Sequence, residues 1–144
     1  AEGRVKAPIG RHPVHRKRMA VLESALAREA TTDYRTVLRL SGMSLVEATL
    51  VTGRTHQIRV HFAHLRHPVV GDPVYGGRQS RHLEALPAKV RDMAEGLSGQ
   101  ALHAYFLSFT HPRAGRRLNF FSLPREEMLR LVRAGQRPED GSQR

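Results

Sequence analysis

The chain of 144 residues is long enough for one domain with a modest core, and 40% apolar residues favour a folded protein over a disordered one. Lys and Arg number 24 against 13 Asp and Glu, a net charge of +11 with neutral histidines, which suits a polyanionic partner such as nucleic acid. The absence of cysteine excludes disulfides, thiol nucleophiles and Cys-ligated zinc. No apolar run approaches the roughly 18 residues of a membrane span and no secretory signal opens the chain, so a cytoplasmic protein is expected. Ala1 in place of Met suggests a start inside a longer reading frame.

In chain order, residues 4–18 combine Arg4, Lys6, Arg11, Arg16, Lys17 and Arg18 with His12, His15, two prolines and a glycine, and contain no acid. This predicts an irregular basic segment. Residues 19–30 allow a short, weakly capped helix. Alternation of Tyr34, Thr36 and Leu38 against Arg35, Val37 and Arg39 predicts a strand over 33–40, and Ser41-Gly42 turns it into a second strand over 44–52. From residue 55 the period changes. Ile58, Phe62 and Leu65 fall at i, i+4 and i+7, so a helix over 55–65 is expected, with Thr55 near its N-cap and these three residues in the core.

Pro68, Gly71, Pro73 and Gly76-Gly77 then make a rigid loop, in which Asp72 caps a turn. Residues 83–97 read as a polar surface insertion with some helix. Strands over 102–110 and 118–123 enclose a hairpin loop, and 124–134 form an amphipathic helix with Met128, Leu131 and Val132 inward. The tail from Gly135 is expected to be disordered. The fold class is α+β, with a mostly antiparallel sheet and flanking helices.

The informative stretch is GRTHQIRVHFAHLRHPVVGDPVYG, residues 53–76, preceded by APIGRHPVHRKRMAV (7–21) and followed by ALHAYFLSFTHPRAGRRLNFFSLP (101–124). Together they resemble, in order and spacing, the signature, basic loop and closing hairpin of the RluA/RluD-type pseudouridine synthases. The resemblance implies a pseudouridine synthase-like fold over 1–134, apparently incomplete on its N-terminal side, and an isomerase converting uridine to pseudouridine in structured RNA. The glycosidic bond breaks, the uracil rotates and C5 joins the ribose, after the base has been extruded into a pocket. The substrate implied is RNA, with rRNA favoured and tRNA admitted; no metal, cofactor or membrane is implied.

The resemblance also places an essential aspartate in a His-Arg-Leu-Asp-like motif upstream of the basic loop. No such motif occurs in this chain, whose aspartates are Asp33, Asp72, Asp92 and Asp140. The family's active-site tyrosine, which follows a lysine in an early strand, is also missing. The chain alone is therefore expected to be inactive, and a non-catalytic RNA-binding remnant is the alternative.

Arg59 corresponds to the family's arginine that pairs with the catalytic aspartate, a pairing suited to a two-point guanidinium fork. Arg11, His12, Arg16, Lys17 and Arg18 form the expected RNA strip. Arg54 either touches RNA or closes the strand–helix junction, and Gln57 either bonds RNA or faces solvent. Thr55, Leu102 and Phe106 are the expected pocket residues. His56, His61, His64 and His67 lack the i, i+4 spacing of a helical zinc pair and have no local Glu, so no metal is expected there. Tyr75 and Tyr105 either stack on bases or serve as half-buried structural tyrosines. With part of a sheet missing, Leu38, Leu50 and Phe120 are expected to lack partners.

Overall fold

A computed structural model describes residues 1–136. Its first strand, β1 (Glu2–Lys6), pairs antiparallel with β4 (Thr31–Leu40), which pairs antiparallel with β5 (Met43–Leu50). Between β1 and β4 lies a second small ribbon, β2 (Ile9–Arg11) against β3 (Met19–Val21), whose turn is the basic loop. The ribbon joins the rest through an isolated bridge of Ile9 to Arg28. The basic segment is thus partly strand, because Val5, Ala7 and Ile9 alternate inward between exposed cations. The helix expected over 19–30 is absent: Met19–Val21 pairs with β2, and the residues after it form loop and bridge.

β4 and β5 are the two predicted strands, but the alternation expected in β4 holds only as far as Thr36: the register is irregular between Thr36 and Leu38, and Val37, Leu38 and Arg39 are all exposed. Its turn uses Gly42 at φ +74, where an added Cβ would lie 2.7 Å from the Ala85 carbonyl oxygen. After it come α1 (Gln57–His64), α2 (Ser80–Leu83) and α3 (Ala88–Glu95). The chain then forms β6 (Phe106–Thr110), paired antiparallel with β7 (Arg117–Phe121), and ends its described part in α4 (Glu126–Gly135). The expected mostly antiparallel α+β class holds, as three separate antiparallel sheets among the described residues. Gly135, read as the first tail residue, closes α4 instead and packs against Leu40 and Met43; residues 137–144 of the expected tail lie outside the described part.

The largest correction concerns residues 83–97. They form the main apolar cluster, with Leu83, Leu86, Val90, Ala94 and Leu97 buried against Leu131 of α4. Val90 and Ala94, at i and i+4, face α4, while the charged residues between them give the segment its polar composition. A smaller cluster of Ile9, Ala30 and Val60, with Met19, Val21 and Tyr75 around it, lies beneath α1. Conversely, the β6–β7 hairpin is covered on neither face: Phe106, Leu107, Phe109, Phe120 and Phe121 are all exposed, Phe121 by 76%. Leu38 and Leu50 are exposed as well.

Candidate functional site

The chemistry-bearing residues collect around α1, whose inner face is polar. Ile58, Phe62 and Leu65 are only half-buried; the residues that α1 buries are Gln57, Arg59, Val60 and His61. The polar ones are tolerated because each has internal partners. Gln57 accepts from the Thr52 hydroxyl and the Arg54 backbone N–H, and its Nε2 donates to the Thr31 carbonyl and Thr32 Oγ1. The His61 ring nitrogens lie 2.9 Å from Thr32 Oγ1 and 3.0 Å from the Ala7 carbonyl oxygen. Since a carbonyl only accepts, Nε2 donates to Ala7 and Nδ1 takes the Thr32 hydroxyl hydrogen, which is the neutral tautomer. Burial lowers the His61 pKa, consistent with that state. A line of side chains therefore bolts α1 to β4 and to the link between β1 and β2.

Beside it lies an ion pair. Arg59 Nε donates to Asp72 Oδ2 and one Nη to Asp72 Oδ1, both at 2.8 Å, a bidentate contact with the carboxylate side chain fully buried and the arginine 11% exposed. Asp72 also accepts from the backbone N–H groups of Val74 and Tyr75 at 2.9 and 3.0 Å. It is thus the turn cap read from the sequence and also a charge partner. Burial pushes its carboxyl up, but the Arg59 fork and the two backbone donors outweigh that and hold it below the ordinary value. The Arg59 guanidinium, its pKa raised chiefly by the bond to Asp72, stacks on the Tyr75 ring at 4.9 Å to the centroid. Tyr75 Oη receives the Met19 N–H at 3.0 Å and lies 2.8 Å from His56 Nδ1. His56 stands at φ 57 as the N-cap of α1, with its pKa lowered by burial and by Arg59.

The expected site residues divide. Arg59 is buried and gripped, with a carboxylate partner inside its own chain. Gln57 does not face solvent: it is 3% exposed, and both ends of its amide are engaged internally. Arg54 Nε donates to the Glu29 carbonyl at 3.0 Å, which ties the strand–helix junction to the loop before β4. Thr55 is not the cap; His56 occupies that place. Thr55, Leu102 and Phe106 are exposed and line neither of two described clefts.

Arg11, Arg16, Lys17 and Arg18 are exposed on and beside the β2–β3 turn, where His12 Nδ1 accepts from the Val14 and His15 N–H groups. Tyr105 bonds Glu47, which also pairs with Arg35, and so ties the hairpin to β5. Sequence reading treated Asp72 as a turn cap and left Tyr75 undecided. The motif put both close to Arg59, but only a loop returning to α1 makes them its partners. Asp33 is held by Arg4 in a bidentate pair, and Asp92 is exposed on α3.

Solved structures with the same arrangement of antiparallel ribbons and helices give the class: the fold is that of a pseudouridylate synthase domain. The structure is similar to Human RNA Pseudouridylate Synthase Domain Containing 1, with a TM-score of 0.61 and 23% identity over 96% of this chain and 62% of that one. A TM-score of 0.61 is also found with Human RNA Pseudouridylate Synthase Domain Containing 4, at 24% identity over 92% of this chain and 56% of that one. The family model for RNA pseudouridylate synthase matches residues 1–64.

Ribosomal large subunit pseudouridine synthase D of Nitrosomonas europaea is 45% identical over 133 residues, and an uncharacterized RNA pseudouridine synthase of Chloroflexus aurantiacus is 49% identical over 130. The alignments cover 92% and 90% of this chain but 36% of each relative. Over nine-tenths of its length the chain is thus similar to RNA pseudouridine synthases, ribosomal large subunit synthase D among them. It spans little more than a third of the length of these two relatives. Among the described residues no helix is long and apolar enough to cross a membrane.

Proposed function

We propose that this chain is the arginine-bearing part of an enzyme that isomerises uridine to pseudouridine in structured RNA, with ribosomal RNA as the substrate class. The observation that carries the reading is the alignment, over nine-tenths of the chain, with ribosomal large subunit pseudouridine synthases at more than 40% identity. The site geometry supports it. Arg59 spends its Nε and one Nη on Asp72, which fixes the plane of the guanidinium and leaves its other Nη unbonded among the described residues. That edge suits the carboxylate of the His-Arg-Leu-Asp-like motif, which it would keep ionised and aimed.

Among the described residues no aspartate takes that part. Asp33 and Asp72 are paired, Asp92 is on the outer side of α3, and Asp140 lies outside the described residues. The 144 residues by themselves therefore bind RNA without isomerising it. The exposed cations from Arg11 to Arg18 hold phosphates and set register, while base extrusion exposes the reacting uridine.

Deletion of the gene encoding the chain is the test, followed by mapping of pseudouridines in large-subunit rRNA by carbodiimide labelling and primer extension. Loss of modification at one or a few positions is expected. A map unchanged at every position overturns the reading.

A further inference from the structure

The exit of α1 has a backbone conformation that its side chain does not account for. The Arg66 N–H bonds the Ala63 carbonyl at 3.0 Å and the His67 N–H bonds the Phe62 carbonyl at 2.9 Å, which together make a Schellman close. That motif requires its C′ residue to be left-handed, and Arg66 occupies the position at φ +62. Glycine is the usual occupant, because a Cβ there crowds the following carbonyl. Arg66 is exposed, and among the described residues it makes no ion pair that would offset the strain. Non-glycine residues held in this region cluster at functional sites.

What adjoins Arg66 is a cleft of about 490 Å³ whose walls include Tyr75, Gln79, Arg81 and His82. No carboxylate lines it. Arg81 Nε donates to His82 Nε2 at 3.3 Å, which sets the two side by side, and Arg81 likewise has no acidic partner among the described residues. Two guanidiniums facing one polar cavity without a counter-charge repel each other until an anion enters. Tyr75 is shared between this cleft and the stacked Arg59, so the cavity opens beside the buried pair.

We infer that the cleft between Arg66 and Arg81 is a second RNA phosphate site, distinct from the basic loop over residues 11–18. It grips the backbone next to the nucleotide presented to Arg59. The inference rests on the RNA reading above and adds a location and two residues to it. Guanidinium forks suit phosphate oxygens at two points, and Gln79 adds a neutral donor to the same lining.

The test uses the whole chain and a fluorescein-labelled RNA stem-loop, with anisotropy read across a salt series. For Arg66→Gln with Arg81→Gln, the slope of log affinity against log salt falls by about 1 for each cation removed. Lys89→Gln, outside the cleft, leaves it unchanged. Arg66→Gly separates binding from folding: it raises the melting midpoint, because the backbone favours glycine, and still weakens RNA binding. A double variant that keeps the wild-type slope overturns the cleft while leaving the RNA reading standing. Wild-type chain with no salt-dependent RNA affinity overturns both. Full displacement of the RNA by a polyglutamate peptide at equal charge concentration overturns the phosphate assignment.

Discussion

Replacing Asp72 by alanine tests whether the buried ion pair holds the site together. The carboxylate takes two charge-assisted bonds from Arg59 and two more from the Val74 and Tyr75 backbone. Its removal strands a guanidinium that is 11% exposed and two turn N–H groups. Breaking a buried pair from one side costs about 3–5 kcal/mol, since the surviving charge keeps its desolvation penalty. A loss of about 4 kcal/mol is therefore expected, a large share of the roughly 5–15 kcal/mol that holds a domain folded.

With a urea slope of roughly 2 kcal/mol/M, the unfolding midpoint falls by about 2 M. Far-UV circular dichroism follows the transition, as the chain has no tryptophan. Arg59→Lys keeps the charge but not the fork, and the expected loss is about 1–2 kcal/mol. In a cycle of Arg59→Met, Asp72→Asn and their combination, the double variant loses less than the sum of the singles, because no unpaired charge remains. Additive losses, or an Asp72→Ala midpoint within about 0.5 M of wild type on the same slope, refute the reasoning. The pH arm has a definite sign. Asp72 is held below its ordinary value, so its contribution is full above about pH 4 and is lost as pH falls through the folded value. Asp72→Asn flattens that acid limb.

Three further outcomes follow from the same structure. An added methyl in Gly77→Ala would lie 1.8 Å from the Val69 carbonyl oxygen and 2.5 Å from the Asp72 nitrogen, so the turn that presents Asp72 must shift. The expected loss is at the top of the roughly 1–3 kcal/mol range for overpacking, read by the same urea titration. His61 is buried and neutral with its pKa lowered, so the unfolded chain takes up the proton first and stability falls as pH drops below about 6.5. In His61→Gln that limb is shallower, as scanning calorimetry between pH 7 and 5 would record. The uncovered hairpin predicts self-association: Leu107→Lys with Phe121→Lys shifts the chain toward monomer in sedimentation velocity, and an unchanged distribution rules the hairpin out as the sticky surface.

Much of this molecule is legible in one dimension. Period-two alternation marked β4, Ser41-Gly42 marked the turn into its hairpin partner β5, and the change of period after Gly53 marked α1. The block from Gly53 to Gly76 carried the family, and it placed Arg59, Asp72 and Tyr75 within one stretch of motif. What it could not carry was the pairing across that stretch. The 3.6-residue pattern of Ile58, Phe62 and Leu65 suggested an apolar inner face, yet α1 turns Gln57, Arg59 and His61 inward. Hydropathy scores a side chain by its own polarity, whereas burial depends on whether distant groups satisfy it, and here Thr32, Ala7 and Asp72 do.

The same reasoning explains residues 83–97, where five charged residues are interleaved with the five apolar ones buried in the cluster with Leu131 of α4. The sequence by itself determined the local periods, the turns, the charge and the family motif, because these depend on neighbours along the chain. Tertiary structure alone decided which polar groups were partnered and which carboxylate met Arg59, because those depend on residues that only folding brings within a few ångströms.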